Sequence, residues 1–151
     1  MAIQYDYSQT RFRLSNPKKI STWIQQVVKA ENAEIESLSY VFCTDKYLLK
    51  INQDYLAHDT FTDIITFDYS DAKSLKGVKS LEGEIYISIQ RVRENAKGLG
   101  TDFDIELRRV IIHGVLHLLG YKDKSAKDKK AMRKREEWAL GFTSPPFHVK
   151  H

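Results

Sequence analysis

The run Val110-Ile111-Ile112-His113-Gly114-Val115-Leu116-His117-Leu118-Leu119-Gly120 constrains this chain more than any other. It ends a helix expected from about Phe103 to Leu119, capped by Thr101 or Asp102. His113 and His117 are four residues apart, so their side chains share one helical face, one turn above the other. Gly120 can adopt the left-handed conformation that stops a helix and reverses the chain. Asp123, three residues further on, can then fold its carboxylate back toward the two imidazoles. On an otherwise apolar helix, two such histidines are either hydrogen-bonded core residues or ligands. The added Gly and carboxylate favour ligands, in the pattern His-x3-His-x2-Gly-x2-Asp. Three protein ligands leave a fourth position for water, the arrangement of a catalytic rather than a structural zinc, which acidifies water and polarises the scissile group.

Zinc proteases place their general base, a Glu, directly after the first His. This chain has Gly114 there, so the helix offers ligands without a base, which counts against proteolysis. Asp63, Glu82 and Glu84 are the chemical candidates for a base elsewhere, the last two flanking Gly83.

The remaining pattern is mixed. Ser15 or Asn16 with Pro17 starts a helix carrying Ile20, Trp23, Ile24, Val27 and Val28. Residues 36–44 read as a strand. Asp45 caps a short helix with Tyr47, Leu48, Ile51 and Tyr55. Residues 64–67 and 84–89 read as strands, 90–97 as a helix, and Ser125 caps a last helix reaching about Leu140. Helices and strands without regular alternation predict an α+β fold, a small mixed β-sheet with helices packed mainly on one face and the metal-binding helix lining a cleft. With 151 residues and no internal linker, the expectation is one metallohydrolase-like domain over 1–151.

Hydrophobic residues make up 42% of the chain, enough for a packed core, which excludes a disordered protein. Cys43 is the sole cysteine, so no internal disulfide forms. No apolar run approaches a membrane span and no secretory leader is visible, which predicts a soluble, cytoplasmic protein. The net charge of +4 is unevenly placed. Residues 122–135 hold eight basic side chains against two acids, so that segment is strongly positive and the rest slightly acidic. Beginning beside Asp123, it is a candidate polyanion contact, with Lys122 and Lys124 nearest the ligands.

His113-Gly114-Val115-Leu116-His117-Leu118-Leu119-Gly120-Tyr121 resembles the signature of the YbeY-type bacterial endoribonucleases, the rRNA maturation factors. Asn52, Tyr55, Asp59 and the stretch Thr62-Asp63-Ile64-Ile65-Thr66-Phe67 are similar to that family's central motif. Gly83-Glu84-Ile85-Tyr86-Ile87-Ser88 is similar to one of its strands, and Met132 and Glu136 sit where the family has Met and Glu. The resemblance covers about residues 45 to 140. It implies a hydrolase that uses one Zn2+ per chain, or another divalent metal, to cleave single-stranded RNA. It also implies a part in 16S rRNA 3′-end maturation and ribosome quality control, with the ribosome or its associated proteins as partners. Two positions depart from the family. Asp123 stands for a third His, and a carboxylate oxygen is an acceptable zinc ligand. Leu56 stands where the family carries Arg, a residue thought to meet RNA phosphate; His58 could partly substitute. Tyr86 and Tyr121 could stack on unpaired bases.

Three functions are therefore weighed. The first is a metal-dependent endoribonuclease with His113, His117 and Asp123 as ligands and Lys122, Lys124, His58 and Tyr86 as substrate contacts. The second is a zincin-like metallopeptidase lacking the usual Glu. The third is a non-catalytic RNA-binding ribosome-assembly factor with a structural metal.

Overall fold

The computed structural model describes residues 2–56, 62–70 and 77–142. The elements run β1 (Ile3–Ser8), α1 (Pro17–Ala30), β2 (Ala33–Cys43), α2 (Asp45–Leu56), β3 (Ile64–Asp68), β4 (Lys79–Ser88), α3 (Ile89–Leu99), α4 (Phe103–Leu119) and α5 (Ala126–Leu140). The strands form one sheet in the order β1-β2-β4-β3. β1 and β4 both pair parallel with β2, and β3 closes the far side antiparallel to β4.

Strand alternation sorts the residues between two faces. Leu38, Tyr40 and Phe42 on β2 and Leu81, Ile85 and Ile87 on β4 join the main core, which α1, α3, α4 and α5 also enter. Cys43 and Ile65 point the other way and pack with Leu48 and Ile51 of α2. This is the expected α+β fold, a mixed sheet with most helices on one face and α2 alone on the other. β4 is longer than its apolar alternation suggests, because Lys79 to Glu82 continue the pairing with β2. β1 has no counterpart among the sequence expectations.

α4 holds the centre. Seven of its apolar side chains are buried: Leu107, Val110, Ile111, Ile112, Val115, Leu116 and Leu118. Full burial of such a side chain stabilises by about 1.5–3 kcal/mol, so this helix is firmly anchored and carries side chains at well-defined positions. Polar ties add to it: Tyr40 Oη donates to the Ile111 carbonyl at 2.9 Å, and Trp23 Nε1 of α1 donates to the Ala139 carbonyl of α5 at 2.8 Å.

Gly114 lets α4 lie directly on the sheet. A Cβ there would sit 2.7 Å from Ile85 Cδ1 and 3.2 Å from Ile64 Cδ1. The position where zinc proteases carry their Glu thus faces β4 and β3 and has no room for one.

Candidate metal centre

α4 stops as its sequence requires. Gly120 adopts φ +110°, its N–H donates to the His117 carbonyl, and the Tyr121 N–H donates to the Leu116 carbonyl, both at 3.0 Å. This paired closure reverses the chain and brings Asp123 back over the helix end. One ligand atom from each of His113, His117 and Asp123 lies within 4.8 Å of the others. His113 Nε2 and Asp123 Oδ2 are 3.5 Å apart. Two ligands each about 2.0–2.1 Å from a tetrahedral zinc are separated by about 3.3 Å. The three side chains are half-buried and open onto a shared pocket of about 440 Å³. The donor set and its spacing fit a zinc-class ion with one side left open, so the cluster could bind a metal ion.

The ring of His113 is fixed from behind. Its Nδ1 lies 2.7 Å from Glu136 Oε2, which leaves Nε2 to face Asp123 and His117. A carboxylate on the far nitrogen sets the tautomer and raises the basicity of a ligating imidazole. Glu136 is itself clamped: Arg109 Nη1 donates to its Oε1 at 3.2 Å, Arg109 Nη2 reaches Glu137 at 3.0 Å, and Arg109 Nε lies 3.5 Å from Glu106. Burial pulls the His113 pKa down, but the hydrogen bond and charge of Glu136 outweigh it and leave the value raised. His117 goes the other way, lowered by burial and then by His113. One imidazole thus favours its charged form and the other its neutral form.

Among the three candidate bases, Asp63 shares the pocket with His113. Asn95 Nδ2 donates to its Oδ2 at 3.1 Å, and burial raises its pKa against the opposing charge of His113. Glu82 and Glu84 alternate onto the α2 face of β4, where Glu84 accepts a hydrogen bond from Tyr69 Oη at 2.9 Å.

The expected RNA contacts separate. Lys122 and Lys124 are exposed and line a second depression together with His117 and Asp123. Tyr86 also lies on the α2 side of the sheet, opposite β3 Ile65 and edge-on to Phe67, so the structure does not bring it to the histidines. Tyr121 is engaged: its hydroxyl donates to Glu31 at 2.8 Å and accepts from Arg135 Nε at 2.7 Å. His58 lies outside the described residues.

Sequence reasoning did not assign roles to Glu136, Arg109 or Glu106. Their signal was present as spacing. Met132, Glu136 and Ala139 form the buried side of α5, so Glu136 is an acid on an inward face.

An α+β fold with an open His-His-Asp cluster on its central helix defines a class of protein able to hold a metal ion over a pocket. A sequence model described as Endoribonuclease YbeY matches residues 4–143, and the chain belongs to that family. A protein named Endoribonuclease YbeY from Christiangramia forsetii is 44% identical over 144 residues, 95% of this chain and 94% of that one. Its namesake from Amoebophilus asiaticus is 48% identical over 134 residues, 89% of this chain and 88% of its own. The one from Flavobacterium psychrophilum is 45% identical and covers 98% of both chains. A Thermotoga maritima protein solved in solution superposes with a TM-score of 0.66 at 23% identity, over 97% of this chain and 92% of that one, a likeness of fold.

Proposed function

We propose that this chain is a metal-dependent endoribonuclease that cleaves single-stranded RNA and works as one metallohydrolase-like domain. The observation that carries the reading is the triad of His113, His117 and Asp123, with His113 oriented by Glu136, in a chain whose relatives are named endoribonucleases. A zinc-class ion held there acts as a Lewis acid and makes water acidic enough to react near neutral pH. His113 and His117 hold it through their ring nitrogens, and Asp123 adds the third oxygen ligand. Asp63, buried beside His113 and tethered by Asn95, is placed to take or return a proton at its carboxylate. Lys122 and Lys124 contact the RNA backbone. The biological setting we assign is 16S rRNA 3′-end maturation and ribosome quality control, at the ribosome, in the cytoplasm. The closed space at Gly114 weighs against the metallopeptidase reading, and an open pocket over the triad weighs against a purely structural metal.

The test is cleavage of single-stranded RNA by wild type and His117→Ala, each with and without chelator. Wild-type turnover that chelator and substitution both abolish supports the proposal. Activity equal in the two proteins marks a contaminating nuclease and removes the support. Metal-dependent cleavage of unfolded protein with RNA left intact would establish the peptidase instead.

A further inference from the structure

The basic segment is divided by the site itself. Three depressions meet at His117. One is lined by Thr66 and Asp68 of the edge strand, a second by Lys122 and Lys124, and a third by Lys129 and Arg133. The second and third share only His117 and Asp123, two of the metal-type ligands. A polyanion leaving the triad toward β3 meets the Asp68 carboxylate, and in either other direction it meets two cations.

Lys129 and Arg133 are four residues apart on α5 and so share one face. Both are exposed, and the Arg133 side chain, 52% accessible, is 3.8 Å from Glu136. That is too long for a committed hydrogen bond, so its guanidinium keeps donors for a ligand. Lys127 and Lys130 line none of these three depressions. Arg135 is spent internally, 2.8 Å from Glu31 and stacked 4.0 Å over Trp138.

We propose that the substrate strand crosses the triad between two cation pairs, Lys122 with Lys124 and Lys129 with Arg133, each holding one phosphate that flanks the scissile one. The proposal rests on the endoribonuclease reading for the word scissile. It makes Lys129 and Arg133 substrate-binding residues and gives the strand a direction across the site, away from Asp68.

The experiment measures binding of a fully 2′-O-methylated uridine oligonucleotide, which resists cleavage through the 2′-oxygen, to metal-loaded protein over a salt series. Each phosphate released from a single strand lowers the slope of log K against log salt by about 0.7. Lys122→Ala/Lys124→Ala and Lys129→Ala/Arg133→Ala should each flatten the slope by that amount, and the fourfold variant by about twice as much. Lys127→Ala/Lys130→Ala, with the same change in net charge, should leave it unaltered. All six positions are exposed, and matched thermal unfolding and metal content confirm that the variants fold. If the control pair flattens the slope as much as either lining pair, or either lining pair leaves it unchanged, the track is wrong. Cleavage of the unmodified oligonucleotide by wild type is scored separately. Binding slopes as stated without any cleavage overturn the endoribonuclease reading, while cleavage with equal slopes overturns the track alone.

Discussion

Replacing Gly114 by Ala tests how the triad is held. In a helix interior Ala is better than Gly by about 0.5–1 kcal/mol, so on propensity alone the variant gains stability. The new methyl would lie 2.7 Å from Ile85 Cδ1, 3.1 Å from Ile85 Cγ2 and 3.2 Å from Ile64 Cδ1. Ile85 is completely buried and has no vacant rotamer to move into. Overpacking of this kind costs about 1–3 kcal/mol, so the sum is a loss of up to about 2 kcal/mol. Part of the strain relaxes by lifting α4 from β4, which shifts the adjacent His113 against Asp123. The expected outcome is a lower urea midpoint with an unchanged m-value, together with weaker zinc binding in competition with a chromophoric chelator. Ile85→Val removes the methyl that is met first and alone costs about 0.5–1.5 kcal/mol. Combined with Gly114→Ala it should cost less than the two singles added, a coupling of about 0.5–3 kcal/mol. If Gly114→Ala is more stable than wild type by the full propensity gain and binds zinc equally well, α4 does not press on the sheet as described and the argument fails.

Glu136→Gln keeps the volume but removes the charge behind His113 Nδ1, and zinc affinity should fall by about 10–100-fold; a competition titration that finds the two proteins equal excludes Glu136 as the orienting group. Burial raises the Glu106 pKa above its ordinary 4.5, against the opposing effect of Arg109. A carboxyl that binds its proton more tightly when folded loses stability as pH rises from the unfolded value through the folded one. Glu106→Gln should therefore gain on wild type as pH rises through that window and match it at acid pH; a difference that grows on acidification contradicts the assignment. Burial pushes the Cys43 thiol up to about 12, so an aromatic disulfide reagent at neutral pH should modify it only as fast as the protein unfolds, and immediate stoichiometric reaction of folded protein would refute this.

Elements with strong local punctuation were legible in the sequence. Gly120 ends α4 and Ser125 starts α5, where its Oγ accepts from the Asp128 N–H and the Asp128 carboxylate answers the Ser125 N–H. Both signals act within four residues. β1 was not legible because its inward residues include Tyr5 and Tyr7, half-buried rings that break an apolar pattern. Their place in the sheet comes from partners far along the chain: Tyr5 donates or accepts at Ser21 at 2.8 Å and stacks on Tyr40, and Tyr7 stacks on Phe42. The start of α1 differed in mechanism. Asn16 adopts a left-handed conformation with φ 52° and makes no side-chain cap, so Pro17 alone of the two expected signals acts there.

The ligands of the site follow one another within eleven residues and could be read together, whereas what surrounds them is assembled from four elements. Asp63 precedes β3, Glu106 and Arg109 lie on α4, and Glu136 on α5. Counting charge along the chain hides this arrangement, because α5 is basic on its exposed side and carries its buried acid among those lysines. Sorted by depth, the order inverts: Asp63, Glu106, Asp123 and Glu136 gather around the single guanidinium of Arg109, and the cations Lys129 and Arg133 stand at the rim. Burial already holds Asp63 and Glu106 above the ordinary carboxylate range. A divalent cation on His113, His117 and Asp123 would lower both, since a nearby positive charge favours the ionised form. The inner acids thus favour a metal ion while the outer cations favour a polyanion, and the pocket wall separates the two preferences by depth rather than by sequence.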